Sequence, residues 1–142
     1  MRRGRHSLIR LGPAISALAI AGCTPVADRI PPLGTNIEGR WLVVEVKRQA
    51  VPRSGDYAVS FDDGRLGARF GCNHMGGSYR WARGRLVAGQ IASTLMGCPE
   101  PAATIERDAG LILSQPMSVS WTSRDSLELT NRAGGIKLVR GP

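Results

Sequence analysis

Three side chains between Phe70 and Pro99 are of types that could do chemistry: Cys72, His74 and Cys98, within FGCNHMGGSYRWARGRLVAGQIASTLMGCP. The C-x-H pair with a distant second sulfur permits three chemistries. Cys72 and Cys98 could close a disulfide, which for a loop of about 27 residues stabilises by roughly 3.5 kcal/mol in the chain-entropy account. The two thiolates and the imidazole could hold a metal ion. Structural zinc, however, takes four ligands, usually with CxxC or HxxxH spacing, and no fourth ligand is in view. His74 could activate Cys72 as a nucleophile, but no Asn or Asp partner stands at a recognised spacing and oxidation would silence the thiol. The disulfide is the expectation, and no metal ligand set is assigned.

The third cysteine, Cys23, belongs to a different pattern. Arg2, Arg3, Arg5 and Arg10 form a basic start, and Leu11 to Ala21 is a short, mostly apolar run. That run falls well below the ~20 residues of a membrane span. Ile20-Ala21-Gly22-Cys23 then reads as a bacterial lipobox. The expectation is a signal peptide over 1–22, acyl chains such as palmitate on Cys23, and anchorage of the chain to the membrane. Thr24 rather than Asp after the cysteine favours, by similarity to enterobacterial lipoproteins, the outer membrane facing the periplasm. That compartment is oxidising, and lipidation leaves an even number of cysteines, which supports the disulfide.

Removing the leader changes the charge. The whole chain has 19 Lys and Arg against 11 Asp and Glu, a net +8. Four arginines and no acid lie in the leader, so residues 23–142 carry a net +4. The basic residues there are scattered, whereas nucleic-acid binding needs a clustered stripe. No nucleic-acid partner is expected. A mild attraction to anionic lipid or cell-wall polymers is consistent with the excess.

Thr24 to Ile37 contains three prolines and a glycine without periodicity. Residues 23–37 read as a lipid-anchored, semi-stiff tether, reaching up to about 40 Å as polyproline II. Residues 38–140 form one domain of roughly 100 residues, small enough to gain from a staple.

Within it, alternation dominates. Leu42, Val44 and Val46 share one face of a first strand and Trp41, Val43 and Glu45 the other. Tyr57, Val59 and Phe61 alternate with smaller or polar residues, as do Leu66, Ala68 and Phe70, then Tyr79 and Trp81, Met117, Val119 and Trp121, Leu127 and Leu129, and Ile136 and Leu138. Period two with a polar outer face predicts antiparallel strands packed on one side. Asp63-Gly64 and Arg83-Gly84 supply hairpin turns, and Ala133-Gly134-Gly135 precedes the last strand. This pattern predicts a barrel or a sandwich. Pro101 to Ser114 departs from it: Pro101 suits a first helical position, and Ile105, Ala109 and Ile112 fall on one helical face. One short amphipathic helix inserted between strands is predicted, ended by Pro116.

Other candidates carry less. Asp62 and Asp63 are adjacent in a strand and point to opposite faces. Ser54-Gly55 and Ser93-Thr94 lack a nucleophile-elbow frame. Asn73 suits a turn through backbone bonds, with ligand binding as the sharper alternative. Trp41, Trp81 and Trp121 read as core or seam fillers; two of them at an open barrel mouth would instead make an apolar ligand site.

Several pieces in order resemble the META domain, or HslJ-like, family: Gly39-Arg40-Trp41-Leu42, Val59-Ser60-Phe61, Gly71-Cys72-Asn73, Gly77-Ser78-Tyr79, Ile91 to Cys98, Glu106 and Leu113, Leu127-Glu128-Leu129, and Gly135 to Val139. The resemblance implies a mainly β (α+β) fold, a small cracked antiparallel β-barrel closed by one short helix. It also implies an envelope protein, often a lipoprotein, associated with stress, drug tolerance or secretion, with no reaction assigned. Together these readings lead to a non-enzymatic, membrane-tethered binding or support module without cofactor. Its partner would be an envelope protein or an apolar small molecule. The alternatives are a small-barrel inhibitor or apolar-ligand carrier, and a scaffold for an outer-membrane or secretion assembly.

Overall fold

The computed structural model describes residues 36–142. The expected signal peptide over 1–22, Cys23 and nearly all of the expected tether lie outside the described residues. Ile37, assigned by composition to the tether, is buried and belongs to the core.

Eleven elements run in chain order: β1 (Gly39–Val46), β2 (Gln49–Ala50), β3 (Tyr57–Asp62), β4 (Arg65–Phe70), β5 (His74–Ala82), β6 (Arg85–Ala88), β7 (Ala92–Ser93), α1 (Ala102–Leu113), β8 (Ser118–Ser123), β9 (Ser126–Asn131) and β10 (Gly134–Arg140). The main path of the sheet runs β6-β5-β4-β3-β1-β10-β9-β8, with the two-residue strands β2 on β1 and β7 on β5. All pairs are antiparallel. The two ends of the path touch where Leu86 and Met117 exchange N–H···O bonds of 2.9 and 2.8 Å. The result is a nearly closed antiparallel barrel with one crack, as expected.

The turns explain the register. Asp63 and Gly64 have φ of 42° and 74°, and Arg83 and Gly84 of 52° and 71°, so both hairpins use the left-handed pair of a type I′ turn. Lys47 and Arg48 do the same between β1 and β2, without a glycine. That turn and the strand after it had no composition signal.

Inward residues obey the alternation except in β1. There Trp41 and Val43 are buried, but so is Val46. Pairing with β10 slips between Val43 and Glu45, a bulge that moves the subsequent residues to the other face. The predicted grouping of Leu42, Val44 and Val46 on one face is therefore corrected: Val46 joins Trp41 and Val43.

The barrel is filled rather than hollow along its packed interior. Trp41, Phe61, Phe70, Leu86, Met117, Leu127, Leu129, Ile136 and Leu138 are fully buried. From α1, Ile105, Ala109, Ile112 and Leu113 close the core, the helix packing on β1, β4 and β10. Pro101 sits at the N-cap rather than the first helical position, and the Thr104 N–H is met by the Glu100 carboxylate at 3.3 Å. At the other end Asn131 Nδ2 donates to the Ile112 carbonyl at 2.7 Å, satisfying one of the acceptors a helix terminus leaves open. Among the described residues no helix is long and apolar enough to cross a membrane.

Candidate functional site

The Phe70 to Pro99 stretch folds into a clamp. β4 ends at Phe70, and Gly71 takes φ +112°, a conformation that favours glycine. A Cβ there would also come within 2.8 Å of Ala102 Cβ, so the chain passes tightly over the start of α1. This places Cys72 against Cys98: the two sulfurs are at bonding distance and the Cα atoms are 6.0 Å apart.

Asn73 comes next and is 3% exposed, the one buried polar side chain among the described residues. Its Oδ1 accepts from the Met96 N–H and the Thr94 hydroxyl, both at 2.8 Å. Its Nδ2 lies 3.0 Å from the Met96 carbonyl and 2.9 Å from Glu106 Oε2, where it donates, with Cys98 Sγ at 3.3 Å. Thr94 Oγ1 in turn accepts from the His74 N–H at 3.0 Å. The predicted backbone role of Asn73 is present, but toward a loop 23 residues away in the chain rather than its own turn.

Among the chemistries open to the cysteines, the clamp geometry favours the disulfide. Cys72, Cys98 and Glu106 bring their ligating atoms within 4.8 Å of one another. His74 is not in that group; it stands exposed on the outer face of the sheet. With the sulfurs joined, no thiolate is left to ligate a metal or attack a carbon. Above the clamp, Leu95 and Met96 point into solvent, at 96% and 59% exposure.

The three tryptophans separate. Trp41 is fully buried, donates from Nε1 to the Ile37 carbonyl at 2.7 Å, and carries the Arg140 guanidinium 3.9 Å above its ring. Trp121 packs edge-on against it with centroids 5.7 Å apart, half-buried. Trp81 is 53% exposed on the β5–β6 hairpin. Reading all three as fillers is thus corrected at Trp81, while Trp41 and Trp121 pack against each other.

Sequence reasoning gave no role to Glu106, Thr94 or Glu38. Glu38 accepts from the Tyr79 hydroxyl and, at 3.3 Å, from the Asp63 N–H. Burial first, then the Glu38 hydrogen bond and charge, push the Tyr79 phenol up to about 12. The signal for Glu106 was available: it is a carboxylate beside Ile105 on the apolar side of a helix, where an unpaired charge would be costly.

Two solved structures share the fold. One, an NMR structure, is 20% identical with a TM-score of 0.62, over 72% of this chain and 89% of its own. Another, an NMR structure of a protein from Burkholderia xenovorans, is 21% identical with a TM-score of 0.59, over 94% and 99%. No curated protein matches. The model of the META domain matches residues 35–140, so this barrel, with its Asn73 clamp, belongs to the META domain family.

Proposed function

We propose that the chain is a non-enzymatic module of the bacterial envelope, anchored through an acylated Cys23, that binds or supports another envelope component under stress or drug exposure. One observation carries this reading. Cys72, Cys98 and Asn73 are spent on holding a loop, and that loop presents Leu95 and Met96 to solvent from a rigid base. A pre-ordered loop loses little conformational entropy on binding, which is what an interaction module needs.

Two measurements test it. Mass spectrometry of the native protein is expected to find acyl chains on Cys23; an unmodified thiol there removes the anchor. A photo-crosslinking residue at Leu95, in intact envelopes, is expected to give a discrete adduct that the same residue at exposed Arg124 does not give. Equal or absent adducts at both sites count against a binding loop.

A second reading, an apolar-ligand carrier, is favoured by a groove of about 410 Å³ between α1 and the segment after β6, lined by Met75, Ile91 and Gly110. Gly110→Leu would fill it. Uptake of a fluorescent fatty-acid analogue that this substitution does not reduce would exclude the groove.

A further inference from the structure

The outer face of the sheet carries a second feature, away from the clamp loop. Pairing across β1, β3, β4 and β5 places Arg40 opposite Ser60, Ser60 opposite Gly67, and Gly67 opposite Gly76. The next row places Ala58 opposite Arg69 and Arg69 opposite His74. Directly paired residues share a face. Val59, Phe61, Leu66 and Ala68 fill the inner face, so these rows lie outside.

Ser60 and Gly67 in the first row and Ala58 in the second leave a low middle, with Arg40 standing on one side and Arg69 and His74 on the other. The result is a groove of about 360 Å³ with Ala58, Ser60 and Gly67 as its floor and Arg40, Arg69 and His74 as its walls. Gly67 keeps the floor low: a Cβ there would come within 2.8 Å of Ser60 Oγ. A glycine inside a strand weakens it and marks a bulge, a bend or the close approach of a ligand or backbone; of the facing pair, Gly67 lines the groove.

The walls are prepared for an anion. Arg69 Nε donates to the Gly71 carbonyl at 2.9 Å, and its Nη1 pairs with Asp56 at 2.9 Å. These two bonds orient the guanidinium and leave Nη2 without a partner among the described residues. The Arg40 guanidinium lies over Gly55, where a Cβ would stand 3.1 Å from Nη2, and has no side-chain partner among the described residues. Asp56 is the carboxylate on this rim and is already engaged by Arg69. The two arginines rise from strands two spacings apart, about 10 Å, so they approach the groove from opposite sides. A carboxylate, with two oxygens, is satisfied by one guanidinium fork. A phosphate has more oxygens and up to two charges, and takes donors from both walls.

We propose that this groove is a phosphate-binding site, taking a free phosphate or the phosphate of a lipid headgroup between Arg40 and the Arg69–His74 wall. This goes beyond the binding loop above and does not depend on it.

The test uses the full chain carrying Cys23→Ser, which cannot be acylated, and tracks its backbone amide resonances. One arm adds inorganic phosphate; the other adds phosphatidic acid vesicles, with phosphatidylcholine vesicles as the blank. Saturable shifts at Ser60, Gly67 and Gly76 with phosphate are expected, weakened about tenfold by R40Q and by R69Q, since each removes charge-assisted hydrogen bonds. A58L keeps every charge, fills the floor, and is expected to abolish the response. A response to phosphatidic acid vesicles alone, with the same sensitivity to R40Q, upholds the site and assigns the ligand to lipid. No saturable response in either arm, or one that R40Q and R69Q leave unchanged, overturns the proposal. The thermal midpoint of each variant is measured alongside; if A58L does not fold, the two arginine variants decide.

Discussion

The Asn73 amide donates to the Glu106 carboxylate, with Nδ2 2.9 and 3.0 Å from its two oxygens, across 33 residues of chain. This contact joins the strand-end turn to the helix, while the other face of the same amide holds Met96. Asn73→Ala would strand the Met96 N–H, the Thr94 hydroxyl and the Glu106 carboxylate in one step. Each stranded partly buried group costs roughly 1–3 kcal/mol, so a loss of about 3 kcal/mol in urea unfolding is expected. A loss below about 1 kcal/mol would mean that water replaces the clamp without penalty.

The Cys72–Cys98 bond supports the same loop covalently. In the chain-entropy account its removal costs about 3.5 kcal/mol. Replacing both cysteines by Ala is expected to lower stability by roughly that amount, with the barrel still formed. Alkylation of the untreated protein is expected to label neither thiol, and alkylation after reduction to label both. Labelling without reductant would show that the pair is open in the native protein.

Trp41 and Trp81 both sit on strands with aromatic and aliphatic alternation, yet their environments are opposite. Trp41 is fully buried, bonded to Ile37 and covered by Arg140. Trp41→Ala is expected to cost about 3–5 kcal/mol, as large buried aromatics do. Trp81, 53% exposed, is expected to change stability by no more than about 0.5 kcal/mol when replaced by Ala. Comparable losses from both would place Trp81 in the core.

These pairs show what could be read from the chain and what could not. Val59, Phe61, Leu66 and Ala68 announced themselves because period two and the Asp63-Gly64 turn fix both face and register. Ile105, Ala109 and Ile112 did so through helical spacing. The β1 bulge was hidden, since the residues around it, Val43 and Val44, are apolar on either face. Trp81 was misread because alternation gives a face but not how far a hairpin extends past the packed layer. The clamp was half legible: the cysteines and Asn73 stood out by type, but Glu106 and Thr94 reach them only through the fold. The groove was hidden for the same reason. Arg40, Ser60, Gly67 and Gly76 form a row only when four strands are set in register.

Tyr79 and Glu38 give a pH dependence whose sign is fixed. The phenol is raised from 10.0 to about 12 in the folded protein, first by burial and then by the Glu38 hydrogen bond and charge. Between pH 10 and 12 the unfolded chain releases this proton while the folded chain keeps it. The unfolded state then binds fewer protons, so stability falls as pH rises. The contribution is fully present below pH 10 and is lost by passage through about 12. In a Tyr57→Phe background, tyrosinate absorbance is expected to appear only near pH 12 in the folded protein, and Glu38→Gln to move it toward 10 without reaching it, because burial remains. A midpoint at about 10 in the folded chain, the ordinary phenol value, would show that the Tyr79 hydroxyl is open to water and that Glu38 does not bind it.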